Sequence, residues 1–258
     1  MTFQEFLSGV GLVFGVMALV SLLELAVPLF ARGARGQGRA AANLGLTALT
    51  LLLNWGLYSL AASLALLLSL PGRGLLASLA LPLPALVAVS IVTLDLCTYF
   101  AHRTMHAIPA LWRVHRVHHS DPFVDVTTTL RQHPVEGLWR FLWILVPTWA
   151  LGLPASGVVL YRLALVVQAA FEHGNFRLWQ PLDRALSRVW CTPNMHKVHH
   201  SRAPHQTDTN YGNLLSLFDR GLRTFTPTDA AFDVVYGLAE IEPERAKSLQ
   251  SLMLAPLR

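Results

Sequence analysis

Long apolar runs constrain this chain more than any other feature. Between Phe6 and Phe30 there is one charged residue, Glu24, and two serines. A helix of that length crosses a hydrocarbon layer of about 30 Å. No positively charged segment precedes it and no small-residue cleavage site follows, so it reads as a retained helix. Four further runs follow: Asn43 to Leu70, Leu75 to Phe100, Trp139 to Leu153 and Ser156 to Phe171. Pro82 and Pro84 either kink the third or split off a short re-entrant piece. Gly152-Leu153-Pro154 makes a helical hairpin of the last two. Of 258 residues, 53% are hydrophobic and 14% charged, too little polar surface to cover a soluble globule. No repeat or long linker divides the chain, which is expected to be a single all-α membrane domain over residues 1–258.

The net charge of +5 does not point to nucleic acid, because the arginines are scattered and form no basic stripe. Arg32, Arg35 and Arg39 cluster between the first two runs, which places that loop in the cytoplasm and the N-terminus outside. Counting spans from there puts residues 102–134 and 173–225 on the cytoplasmic side, as a helical cap. Residues 226–258 form a tail, with Glu242 to Leu254 as a short helix on the membrane surface. Cys97 and Cys191 form no disulfide framework. Trp139, Trp143 and Trp149 read as packing and interface anchors.

The polar stretch after the third run is rich in histidine. His102 and His106 lie at i and i+4, His115, His118 and His119 at i, i+3 and i+4, and His196, His199 and His200 repeat the latter spacing. On helices, each group shares one face. Three imidazole-bearing faces in one chain read as the walls of a single metal site. Thr192-Pro193 is the N-cap and first residue of the helix carrying the last group. Imidazole suits zinc, copper, iron and nickel. Eight histidines are too many for one ion and suggest two, with roughly four each and open positions. No CxxC, HExxH or Glu-x-x-His motif is present, which argues against zinc-finger, metalloprotease and carboxylate-bridged di-iron sites.

HRTMH, HRVHH and HKVHH, with a membrane hairpin before the last, resemble the three histidine boxes of the fatty acid hydroxylase / sterol desaturase superfamily of membrane di-iron enzymes. The resemblance covers roughly Asp95 to Phe225. It implies that His102, His106, His115, His118, His119, His196, His199 and His200 are iron ligands. His173, in FEHGN, matches the extra histidine of such enzymes and would be a ninth. It also implies a multi-span helical bundle whose cytoplasmic cap holds a di-metal site, two iron ions, O2 as co-substrate and hydroxylation of a hydrophobic lipid. Purified protein can carry zinc instead, since zinc outranks ferrous iron in affinity. Desaturation at the same site is the near alternative. A histidine-rich metal-binding or transport protein is the distant one, and would place its histidines within the spans.

Other residues carry two readings. Asp95 and Tyr99 continue the His102 stripe; Asp95 either orients a ligand or is an ordinary interfacial acid. His133 either caps the next helix, with Glu136 as partner, or touches metal. His205 reads as a loop residue. Glu24 and Arg162, within apolar runs, face protein or a cavity, or Arg162 snorkels. No GxGxxG, iron–sulfur or haem motif is present, so electrons come from an external ferredoxin, cytochrome or reductase. Arg103, Arg113, Arg116 and Lys197 either receive an acidic donor or are solvated.

Overall fold

A computed structural model describes residues 3–31, 33, 36–67, 74–76 and 79–258, with side chains 64–67 excepted. Arg32 and Arg35 of the first loop, and the end of the second apolar run from Leu68 to Leu70, lie outside the described residues. The fold is helical, and among the described residues only two isolated β-bridges interrupt that pattern. The long helices are α1 (Phe3–Ala26), α2 (Ala40–Leu67), α3 (Leu83–Ala107), α5 (Pro134–Leu151) and α6 (Ala155–His173). The shorter α4 (Pro109–His119), α7 (Gln180–Leu186) and α8 (Pro193–His199) lie between and after them. Four are long and apolar enough to cross a membrane: α1, α2, α3 and α6. The 18-residue α5 carries Glu136 and Arg140 in its first two turns.

Local signals explain the helix ends. Pro82 is the N-cap of α3 and Pro84 sits in its first turn, where a missing N–H costs nothing. The prolines therefore start this helix rather than kink it. α3 then runs past Phe100 to Ala107, so His102 and His106 ride on the same rod as the apolar run. Ile108 alone separates α3 from α4, and Pro109 opens the latter. α5 ends on Gly152 at φ 70°, the left-handed C-cap that glycine adopts without strain. Leu153 and Pro154 complete the turn into α6.

The core forms where α3, α5 and α6 meet, around Leu94, Ile144, Leu153, Tyr161 and Leu214. Small residues permit the approach: a Cβ on Gly157 of α6 would lie 2.4 Å from Ser90 Oγ of α3. In a bilayer such close van der Waals packing, more than hydrophobic transfer, holds helices together. Glu24 faces protein, its Oε1 accepting from Val126 N at 2.7 Å and Asn175 N at 2.8 Å. Arg39 is not a free loop charge but is buried, pairing with Asp121 at 2.7 Å and with Asp125. The expected surface helix of the tail is two short helices, Pro243–Ala246 and Leu249–Leu254. Leu252 packs into the protein against Ala42, Leu46 and Val117, because α2 and α4 leave an apolar face that the tail covers.

Candidate metal centre

Nine histidines from four helices converge and divide into two sets. One comprises His102 and His106 from α3, His115 and His119 from α4, and His199 from α8. The other comprises His118 from α4, His173 from α6, His196 from α8 and His200, the residue that ends α8. Within each set the candidate ligand atoms all lie within 4.8 Å of one another. The sets adjoin, with the His119 and His200 ring centroids 4.6 Å apart. The second and third boxes are therefore each shared between two sites, while His102 and His106 of the first serve one. On α4 and at α8 the i and i+4 histidines serve one set and the i+3 histidine the other, since 3.6 residues per turn send i+3 and i+4 to opposite sides of i.

Hydrogen bonds to the distal ring nitrogens fix most of the tautomers. His102 Nδ1 donates to Tyr211 O at 3.0 Å, His118 Nδ1 to Arg131 O at 3.3 Å, and His199 Nδ1 to Thr209 O at 2.7 Å. His173 Nδ1 donates to Ala169 O at 2.7 Å, and His106 Nδ1 to Asp208 Oδ1 at 3.1 Å. A carbonyl oxygen only accepts, so the proton sits on Nδ1 and Nε2 presents a bare lone pair. His115 Nδ1 lies 3.0 Å from Glu136 Oε2, angled away from a hydrogen bond. Glu136 thus faces His115 and Arg140 rather than capping its own helix. Glu172 Oε1 stands 3.8 Å from His196 Nδ1.

The residues fit metal ions. Buried Nε2 atoms of His102, His106, His115, His119 and His199 have no hydrogen-bond partner, a state that costs about 1–3 kcal/mol per group and that a cation relieves. Burial, and after it the charge of neighbouring imidazoles, pushes His118, His119, His196 and His200 well below the ordinary histidine value; burial does the same at His199. All are neutral near pH 7, the form that binds metal.

The other candidates lie elsewhere. Asp95 accepts from Leu214 N at 3.0 Å and Leu215 N at 2.9 Å, so it anchors the segment that supplies the Tyr211 carbonyl and holds no imidazole directly. Tyr99 bonds Thr224 Oγ1 at 2.8 Å. His133 caps α5, accepting from Val135 N at 3.2 Å, and belongs to neither set. His205 is exposed in the short helix Pro204–Thr207. Lys197 is fully buried, its Nζ donating to Gly174 O at 2.7 Å, and is closed to a docking partner. Arg116 is engaged by the carbonyls of Ala255 and Arg258. The groups that sequence reasoning missed, the carbonyls of Ala169, Arg131, Thr209 and Tyr211, carry no signal in residue type. Asp208 does, but it reads as a turn residue.

Residues 87–224 match the family model described as fatty acid hydroxylase. Alkylglycerol monooxygenase from Danio rerio is 32% identical over 149 residues, covering 56% of this chain and 31% of that protein. The Homo sapiens alkylglycerol monooxygenase is 30% identical over 145 residues, 56% of this chain and 31% of its own. Ornithine lipid hydroxylase OlsE from Rhizobium tropici is 31% identical over 145 residues, 56% of this chain and 43% of that protein. The matched segment thus spans less than half the length of these relatives. No solved structure matches the chain significantly.

Proposed function

The chain belongs to the fatty acid hydroxylase family, and on that premise we propose that it is a membrane di-iron monooxygenase that hydroxylates a C–H bond of a hydrophobic lipid with O2. The observation that carries this is the pair of all-imidazole sets, one with Nε2 atoms that have no hydrogen-bond partner and the other with Nε2 atoms that face one another at 3.0–3.1 Å. Iron bound there supplies the activation of dioxygen that attack on an unreactive C–H bond needs, with electrons from an external donor. The protein's residues do the rest. The carbonyls of Tyr211, Thr209, Arg131 and Ala169 hold imidazoles in the tautomer that presents Nε2, which sets ligand direction before metal arrives.

A cleft of about 130 Å³ reaches His102, His118, His173 and His196 and is lined by Phe141, Ile144, Asn213 and Arg140 among others. Its apolar walls suit a hydrocarbon segment and its polar groups suit a lipid's oxygen-bearing end. The relatives' names, alkylglycerol monooxygenase and ornithine lipid hydroxylase, agree with a lipid substrate. We assign the metal site to the cytoplasmic side, where a soluble electron donor docks, on Arg32 and Arg35 between the first two apolar runs.

Labelled oxygen gas tests the proposal. Membranes with the wild type and a reductant should yield a lipid product carrying the heavy isotope, and His118→Ala should yield none. Product oxygen drawn only from water, or full activity in the alanine variant, overturns it.

A further inference from the structure

Between α1, α2 and α6 lies a second cavity of about 940 Å³, walled by apolar side chains such as Phe6, Val10, Val13, Leu51, Leu163 and Val166. Asn54, Tyr58 and Arg162 line both this cavity and the cleft that reaches the histidines, so they stand where the two join. Arg162 is placed unusually. It sits within the candidate span Ala155–His173, and its guanidinium carbon lies 3.4 Å above the Tyr58 ring centroid. Tyr58 is itself braced edge-on by Phe141 at 5.0 Å. Among the described residues no carboxylate lies within salt-bridge distance of the Arg162 guanidinium, which rests on Tyr58.

A permanent cation within a membrane span is costly unless it has a counter-charge or water, and such residues mark ligand paths. Snorkelling is a poor account here. Arg162 stands 11 residues before His173 and seven after Ala155 on α6, about 16 Å and about 10 Å along the axis at 1.5 Å per residue, and its head is held on the Tyr58 ring. A guanidinium held over an aromatic face keeps its edge donors free, and those donors match the paired oxygens of a carboxylate or phosphate.

We propose that Arg162 binds the anionic end of a single-chain lipid, whose alkyl chain fills the apolar cavity and whose charged end faces the cleft. Asn54, on the same junction, supplies a neutral donor to the same group. The assignment rests on the lipid-hydroxylase reading only for what becomes of the bound molecule; the binding itself needs no turnover.

Equilibrium titration of the detergent-solubilised protein with hexadecanoate, hexadecyl phosphate and hexadecanol tests it, since the three share one chain length. At least one anion should bind about tenfold tighter than the alcohol, and the tighter of the two identifies the group as carboxylate or phosphate. Arg162→Gln should remove the preference while retaining hexadecanol, which shows that the cavity is intact. Arg162→Lys, which keeps the charge, should retain it in part. Binding is read without turnover, so a failure of oxygen insertion leaves this result standing. Equal affinity of the wild type for all three ligands, an undiminished preference in Arg162→Gln, or no preference in an Arg162→Lys protein that still binds hexadecanol would overturn the assignment.

Discussion

His118 and His173 face each other with their Nε2 atoms 3.1 Å apart, and on both rings the proton is held at Nδ1 by a backbone carbonyl. Two lone pairs at that distance repel. A cation between them turns the repulsion into coordination, and the same argument extends to His196, whose Nε2 lies 3.0 Å from that of His173.

Metal content should follow the two sets. Wild-type protein is expected to carry two ions per chain by elemental analysis. His173→Ala, in one set, and His102→Ala, in the other, should each lower the content toward one. Two ions retained in both variants would sink the division into two sites.

Gly157 tests the packing that aligns α6 with α3. A Cβ there meets Ser90 Oγ at 2.4 Å and Ser90 Cβ at 2.6 Å, so Gly157→Ala should destabilise the protein by about 1–3 kcal/mol. Adding Ser90→Gly should recover most of that loss. Thermal unfolding in detergent reads both; a Gly157→Ala protein as stable as the wild type would contradict the close approach.

Glu24 ties α1 to the stretch between α4 and α5 and to the segment after His173, through the amides of Val126 and Asn175 respectively. Glu24→Ala leaves two buried N–H groups without this acceptor, a loss of about 1–3 kcal/mol for each. The expected result is a lowered melting temperature with faster loss of metal to a chelator, while Glu24→Gln, which keeps a carbonyl oxygen, is milder. Equal behaviour of the two variants would show that the carboxylate accepts nothing important.

Asp219 gives a pH dependence. Burial raises its carboxyl from 3.8 to about 6, against the opposing bonds from Thr224 Oγ1, Gly212 N and Tyr211 N. The folded protein therefore holds this proton more tightly than the unfolded chain does. The resulting stabilisation is complete below about pH 4 and is lost as pH rises through about 6, at about 1.4 kcal/mol for each pH step of one between those two values. The stability of wild type relative to Asp219→Asn should fall between pH 4 and 6 and level off above. A difference that rises or stays flat over that range would show that the hydrogen bonds outweigh burial.

The helical character of the chain, its apolar runs and the nine histidines are all legible from residue type and spacing, because 3.6-residue periodicity and hydropathy are local properties. So are the Thr192 cap of α8 and the His133 cap of α5, which depend on neighbours two or three residues away. The division of the second and third boxes between two sets was not legible. Shared helical spacing says which residues lie near one face, but the direction from which α3 and α6 meet that face decides which histidines join. Nor could spacing show that Asp95 grips Leu214 and Leu215, 119 and 120 residues away, or that Tyr211, Thr209, Arg131 and Ala169 orient imidazoles through main-chain oxygens. Every residue has such an oxygen, and only tertiary packing brings a particular one within about 3 Å of a ring nitrogen. Arg162 shows the same limit, since the sequence marks a charge in an apolar run while the meeting of α1, α2 and α6 creates the cavity beside it.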